Sequence, residues 1–212
     1  MRRVKGLFLD LDGTLADSML MLKRVFRNFL ETHGVAPQPA EFRDMSGFRL
    51  FDIMVYLKER HALPQDPAAL VDGYLALVGD RYQEEAAPTP GARRLLEAAR
   101  QRGLYVAVVT SSPGQVARDF LEAHGLTGFV SGLVSADNVS QGKPHPEPFL
   151  KALGLAGLEP AQGLAVEDST AGAQSALSAG LKTYLIGVHE PPPQVPGAAG
   201  RISRLDELVS HL

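Results

Sequence analysis

The chain has 212 residues, 45% of them hydrophobic, with a formal net charge of -3 at pH 7 and no cysteine. This size suits one domain or a domain with a sizeable insertion. The slightly negative net charge does not indicate the basic surface that binding to nucleic acid requires. The lack of cysteine excludes disulfides, thiolate metal sites and a cysteine nucleophile. Neither an export signal nor an apolar run of about 18 residues follows the N-terminus, so we expect no membrane contact and a cytoplasmic protein.

The first predicted element is a buried strand, Val4 to Leu9, which ends in the string Asp10-Leu11-Asp12-Gly13-Thr14-Leu15. Two carboxylates on alternate residues, a glycine turn and a hydroxyl bring a nucleophile, an acid and a metal ligand to one sheet edge. An isolated string of this kind also occurs as a polar loop that closes a hydrophobic strand. If other polar clusters of the chain lie close to this string, we predict phosphoryl chemistry.

Residues 17–85 predict an all-helical insertion without a strand. The first of three helix-like stretches places apolar residues on one face and ends near Gly34, the second runs from Arg49 to Arg60, and the third begins at Asp66-Pro67. Pro88-Thr89-Pro90-Gly91 then favours a hinge back into a core formed by residues 1–16 and 86–212. The alternative is that these helices pack on the sheet as part of one core.

From Leu104 onward, short apolar runs alternate with helical segments. The predicted strands and helices are Leu104–Val109, Pro113–His124, Phe129–Val134, Gly163–Val166, Ser169–Ala179 and Leu181–Ile186. This alternation predicts an α/β fold, a Rossmann-like parallel sheet flanked by helices, with the inserted helical cap domain. Ser112 and Ser169 are predicted helix N-caps. Residues 191–200 predict a loop before a last amphipathic segment, Ser203 to Leu212.

Polar residues follow several of these strands directly. Asp10, Thr110 and Glu167-Asp168 stand at strand ends, and Lys143 follows its strand after a longer loop. Ligands of open parallel sheets bind beyond the carboxyl ends of the strands, so we expect these segments to meet on one rim. Considered singly, Thr110 has an ordinary reading as part of a helix cap, and Lys143 as a solvated surface lysine.

Together the segments resemble the motifs of the haloacid dehalogenase superfamily of aspartate-nucleophile phosphohydrolases. The strings Asp10 to Ser18, Gly142-Lys143-Pro144 and Val166 to Ser169 resemble its helical-cap branch, which includes phosphoglycolate phosphatases and β-phosphoglucomutases. The resemblance implies that Asp10 is the nucleophile and that Asp12 is the acid and base and contacts the metal through its backbone carbonyl. It also implies that Asp168 binds the metal directly and Glu167 directly or through water.

A charge count indicates which other groups the chemistry needs. With Asp12 protonated, Asp10, Glu167 and Asp168 carry three negative charges, which repel a phosphate dianion by about 4 kcal/mol per pair at about 4 Å. Mg²⁺, which prefers oxygen ligands, and Lys143 neutralise them. The Thr110 hydroxyl and the amides around Ser111 are predicted to bind phosphoryl oxygens.

We therefore predict a Mg²⁺-dependent phosphatase acting on a small phosphorylated metabolite, as a monomer or weak homodimer. Arg49 is a candidate for binding a substrate anion, and the alternative is that it faces solvent. A sugar-phosphate mutase is the nearest alternative, but relatives with that activity typically carry a histidine where this chain has Leu22. A signalling module phosphorylated on Asp10 is a third hypothesis. Phosphoglycolate, a sugar phosphate and a nucleotide all remain open as substrates.

Overall fold

The fold is a parallel sheet with a long helical insertion after its first strand. The computed structural model describes residues 3–79 and 81–212. Its strands are β1 (Gly6–Leu9), β2 (Ala16–Asp17), β3 (Ala87–Pro88), β4 (Tyr105–Val109), β5 (Gly132–Val134), β6 (Gly163–Glu167), β7 (Lys182–Ile186) and β8 (Gly200–Ile202). Its α-helices are α1 (Met19–Thr32), α2 (Pro39–Asp44), α3 (Leu50–His61), α4 (Pro67–Val78), α5 (Arg81–Glu85), α6 (Ala92–Gln101), α7 (Gly114–Ala123), α8 (Glu147–Ala156) and α9 (Thr170–Ser178).

The main sheet has the order β5-β4-β1-β6-β7-β8, and all neighbouring strands are parallel. The register aligns the ends of its three central strands, because Leu9 at the end of β1 pairs with Val108 of β4 and with Val166 of β6. Asp10, Thr110 and Glu167 therefore lie side by side at one edge. The predicted α/β class is confirmed.

Apolar side chains cover both faces of the sheet, as expected for parallel strands. Leu7 and Leu9 of β1 belong to one buried cluster, whereas Phe8 between them belongs to a second cluster with Ala107 and Val109 of β4. This alternation follows from the period of two in a strand. Helix α8 packs on β1, β4 and β5, and α9 packs on β6 and β7.

The helical insertion, which we define as α1 to α5, leaves and re-enters the sheet through a small antiparallel pair. Ala16 pairs with Pro88 and Asp17 with Ala87, so the two connections lie next to each other. The described residues of the insertion form five helices where three were predicted, because α2 and α5 have only six and five residues. Elements this short show too little periodicity to be recognised.

The C-terminal end differs from its prediction. Residues 191–200 were expected to form only a loop, but the chain forms β8 directly after it, at the edge of the sheet. Strand β8 was missed because it has only three residues, one of them the exposed Arg201, and so shows no apolar run. The amphipathic segment after it is a 3-10 helix, Leu205–His211, whose Leu205 and Leu208 are buried against α6. Within the described residues, no helix has both the length and the apolarity needed to cross a bilayer.

Helix starts follow the predictions in two cases and depart from them in a third. Ser169 caps α9 by accepting a hydrogen bond from the Gly172 amide at 3.0 Å, and Asp66 caps α4 by accepting one from the Ala69 amide at 2.8 Å. Ser112 does not cap α7. The Gly114 amide donates instead to Asp137 at 2.8 Å, which leaves the Ser112 hydroxyl free for another partner.

We predict that Asp66→Ala lowers the free energy of unfolding by about 1 kcal/mol, because it removes the N-cap of α4. Asp72→Ala is the matched control, since Asp72 is exposed on the same helix. Urea unfolding followed by circular dichroism measures both. Equal stabilities of the two variants would contradict the capping role.

Candidate active site

The site is built around the turn that follows β1. Asp10 is buried, and its amide donates to the Val166 carbonyl at 3.1 Å, which fixes it between β1 and β6. Gly13 has a φ of +77°, and a Cβ at this position would overlap Asp168 Oδ2. Only glycine adopts this backbone conformation readily and leaves room for the carboxylate. The turn thus brings the Asp10-Asp12 segment against Asp168.

Lys143 lies beneath this turn and is almost completely buried. Its Nζ donates to Asp10 Oδ1 at 2.6 Å and to the Val109 carbonyl at 2.9 Å. Glu167 Oε1 lies 2.5 Å from the same Nζ, although not along a hydrogen-bond direction. One ammonium group therefore faces two buried carboxylates from two neighbouring strands.

Burial sets the electrostatics of this cluster. It raises the pKa of Asp10, an effect that Glu167 and Asp12 strengthen and Lys143 opposes. Burial likewise raises the pKa of Glu167 and, with the nearby Asp10 and Glu167 charges, the pKa of Asp168. Burial by itself would lower the pKa of Lys143, but attraction to Asp10 and Glu167 outweighs it and raises that pKa above its usual value. The pKa values of Asp10, Glu167 and Asp168 thus stay raised although Lys143 is near, which shows that one ammonium group does not compensate for the burial of three carboxylates.

The donor set fits a divalent metal ion. Carboxylate oxygens of Asp10, Glu167 and Asp168 lie within 4.8 Å of one another. Hard oxygen ligands of this kind suit Mg²⁺ or a similar cation. Glu167 is also engaged elsewhere, by Lys143 and by the Ser169 hydroxyl at 3.4 Å. Asp10 and Asp168 are therefore the better placed for direct coordination.

Asp12 is held by three hydroxyl groups from separate parts of the chain. Ser18 Oγ and Tyr82 Oη donate to its Oδ1 at 2.7 and 2.5 Å, and Ser112 Oγ donates to its Oδ2 at 2.6 Å. Ser112 was predicted as a helix cap, and this prediction is wrong because its hydroxyl bonds Asp12. Tyr82 was not predicted at all, since it stands in the short α5 among charged residues without a recognisable pattern.

Comparison with known proteins agrees with this geometry. The family model described as haloacid dehalogenase-like hydrolase matches residues 7–186. The chain belongs to this family. It is 32% identical to hexitol phosphatase A of Escherichia coli (strain K12), over 99% of this chain and 91% of that protein. It is 30% identical to a plasmid-encoded phosphoglycolate phosphatase of Cupriavidus necator, over 96% and 89%.

The fold agrees with solved structures of the same family. CbbY from Rhodobacter sphaeroides in complex with phosphate superposes with a TM-score of 0.84 at 23% identity, over 97% of this chain and 96% of that one. The curated relatives are named phosphatases. The chain is therefore a phosphoric monoester hydrolase of the haloacid dehalogenase-like family. Such phosphatases generally use a divalent metal, in accord with the acidic cluster.

A cavity opens above Asp10, Asp12 and Asp168, between the sheet edge and the helical insertion. Thr110 and Ser111, the predicted phosphate-binding residues, are among the residues that line it. The Thr110 hydroxyl accepts a hydrogen bond from the Ser112 amide at 3.0 Å. The Ser111 hydroxyl donates to the Gly47 carbonyl of the insertion at 2.6 Å. The side chain of Ser111 thus contacts the insertion.

Arg49 lies outside this cavity. Its guanidinium donates to both carboxylate oxygens of Asp52, at 2.7 and 3.0 Å, and to the Ser140 carbonyl at 2.9 Å. The structure therefore places it between the insertion and the loop that precedes Lys143, and does not bring it together with the other predicted site residues. The acidic partner three residues later in α3 holds the guanidinium there.

We predict that Lys143→Met lowers the free energy of unfolding by about 3 kcal/mol, because it leaves the Asp10 and Glu167 carboxylates buried without their cation. Lys23→Met is the control, because Lys23 is an exposed residue of α1. Urea unfolding without divalent metal measures the difference. A loss no larger than that of the control would show that the buried ion pair contributes little.

Proposed function

We propose that the protein is a Mg²⁺-dependent phosphatase that hydrolyses a small phosphomonoester through an aspartyl-phosphate on Asp10. The observation that carries the proposal is the contact of the Asp10 carboxylate with Lys143, beside an Asp12 carboxyl held by three hydroxyl groups. One carboxylate is thereby placed as a nucleophile and the other as an acid and base. A cavity above both leaves room for an ester.

Asp10 attacks phosphorus and forms an acyl-phosphate, while the bond between phosphorus and the alcohol oxygen breaks. A carboxylate nucleophile divides hydrolysis into two easier steps. Lys143, 2.6 Å from Asp10 Oδ1, orients the carboxylate and favours its ionised form. The same ammonium group stabilises negative charge that develops on the phosphoryl oxygens.

Asp12 transfers protons in both steps. As an acid it gives a proton to the leaving alcohol, and as a base it takes one from the water that hydrolyses the acyl-phosphate. The hydroxyls of Ser18, Tyr82 and Ser112 fix its carboxyl in position. Positioning of this kind matters because proton transfer requires hydrogen-bond distance to the reacting oxygen.

Mg²⁺ would be held by Asp10, by Asp168 and by the backbone carbonyl of Asp12. Glu167 would contribute directly or through water. When bound, Mg²⁺ neutralises the carboxylates and phosphate and stabilises charge in the transition state. Thr110 and the amide of Ser111 bind phosphoryl oxygens at the start of α7. These groups complete the phosphate site.

The helical insertion, residues 17–85, acts as a cap on the core formed by residues 1–16 and 86–212. Contacts of Gly47 with Ser111 and of Arg49 with Ser140 support this role, because they join the insertion to the sheet edge beside the site. A cap that closes over the ester excludes bulk water. It also restricts the enzyme to small phosphorylated metabolites, and the curated relatives are likewise named for small phosphate esters.

A phosphatase is favoured over a sugar-phosphate mutase. Leu22 lines the cavity at the position where the resemblance to mutases would require a histidine. Within residues 3–79 and 81–212, no histidine or lysine contributes to the cavity wall. A phosphorylated signalling module is disfavoured because Asp12 is placed to hydrolyse the acyl-phosphate.

We predict that Asp10→Asn lowers turnover of p-nitrophenyl phosphate by at least about 10³-fold while circular dichroism stays unchanged, because the amide is a poor nucleophile. Asp72→Asn is the control and keeps full activity, because Asp72 is an exposed residue of α4. Phosphate release measures both. Near-wild-type activity of Asp10→Asn would refute the nucleophile assignment.

We predict that EDTA abolishes turnover and that Mg²⁺ restores it, because the buried carboxylates otherwise repel the phosphate dianion. EDTA saturated with Mg²⁺ beforehand is the control. Binding also stabilises the folded state, by about 2.7 kcal/mol at 100 times the dissociation constant. Asp168→Asn should lose this stabilisation. Full activity in EDTA would contradict the metal requirement.

A further inference from the structure

The wall of the cavity that faces away from the catalytic carboxylates is apolar. Helices α1 to α4 and the loops between them supply it, and Pro113 and Val116 extend it from the core. Representative side chains are those of Met19, Leu22, Phe26, Phe42, Ile53 and Val78. The phosphoryl group must lie at Asp10, so the alcohol part of the ester faces this wall.

Few polar groups of the wall are free to bind an alcohol with several hydroxyls. The hydroxyls of Ser112 and Tyr82 already donate to Asp12, and that of Ser111 donates to the Gly47 carbonyl. Among the described ranges, 3–79 and 81–212, the wall contains no lysine, arginine or histidine. Beyond Thr110 and the carboxylates, the side-chain hydroxyls that remain are those of Ser46 and Tyr74.

The insertion is fixed against the core where this wall begins. The Gly47 carbonyl accepts from Ser111, and Arg49, two residues later, donates to the Ser140 carbonyl. A Cβ at Gly47 would overlap the Ser169 hydroxyl, which shows how closely the backbone of the loop approaches the core. The apolar wall is thus part of the closed site and contacts any bound ester.

We infer that the substrate is a phosphomonoester of an apolar alcohol, with an aliphatic or aromatic group, and not a polyol phosphate or a phosphorylated carboxylic acid. The inference rests on the proposed phosphatase activity and names its substrate class.

Desolvation is the physical reason for this selectivity. A hydroxyl buried without a partner loses its hydrogen bonds to water, and a buried carboxylate without a cation loses more. A polyol would bring a hydroxyl on every carbon to a wall that offers two. Apolar carbons of the same chain length instead bury their surface favourably against leucine, phenylalanine and methionine side chains.

The test compares two esters with the same carbon skeleton, n-hexyl phosphate and D-glucitol 6-phosphate, together with 2-phosphoglycolate. We expect kcat/KM for n-hexyl phosphate to exceed that for the other two by about 100-fold or more. An equal or higher value for D-glucitol 6-phosphate or 2-phosphoglycolate overturns the inference and leaves the phosphatase intact. Failure to hydrolyse any of them or p-nitrophenyl phosphate overturns the proposed function itself.

A matched pair of variants assigns the preference to the wall. Leu22 lines the cavity, whereas Leu20 on the same helix is exposed. Leu22→Asn should reduce the preference for n-hexyl phosphate over D-glucitol 6-phosphate by about 10-fold, because it adds a hydrogen-bonding group and removes apolar contact. Leu20→Asn should leave the preference unchanged. An unchanged preference in Leu22→Asn would contradict the role of this wall.

Discussion

The contact of one buried ammonium group with two buried carboxylates underlies the rest of this structure. Lys143 reaches Asp10 across 133 residues of sequence, and it also lies against Glu167. Buried charges of one sign destabilise a fold unless they are paired, so the core must bring these segments together. The parallel register of β1 and β6 places Asp10 beside Glu167, and the long loop after β5 brings Lys143 to both. The excess of carboxylates in this cluster favours the binding of a cation.

The positions of the core site residues could be predicted because they depend on topology that the sequence encodes locally. Apolar runs identify the buried strands, and a residue that follows such a run lies at the carboxyl edge of the sheet. Asp10, Thr110 and Glu167 are placed by this rule. Lys143 stands at the end of a longer loop, and its place beside Asp10 was expected from the resemblance of its Gly-Lys-Pro string.

Residues whose role depends on contacts between distant segments were not predictable in the same way. Tyr82 donates to Asp12 from a five-residue helix, in which three of the other four residues are charged and exposed. Ser112 precedes a proline, a pattern typical of a helix cap, yet Asp137 accepts the hydrogen bond from the first amide of α7 and the Ser112 hydroxyl donates to Asp12. Arg49 has an acidic residue three positions later, which engages it away from the cavity. Strand β8 forms because β7 offers an open edge.

The division of labour between core and insertion explains why the chemistry can be read from the chain more readily than the substrate. In the proposed mechanism, Asp10, Asp12, Lys143 and Asp168 act on the phosphoryl group, which is common to all phosphomonoesters, so the same core serves many of them. In the proposed complex, the alcohol faces a wall that the insertion mainly supplies and that Pro113 and Val116 of the core extend. There, an apolar wall has two consequences at once: it excludes water, which strengthens the electrostatic interactions at Asp10, and it leaves hydroxyl-rich alcohols without partners. Selectivity against polyols therefore follows from the same desolvation that favours phosphoryl transfer.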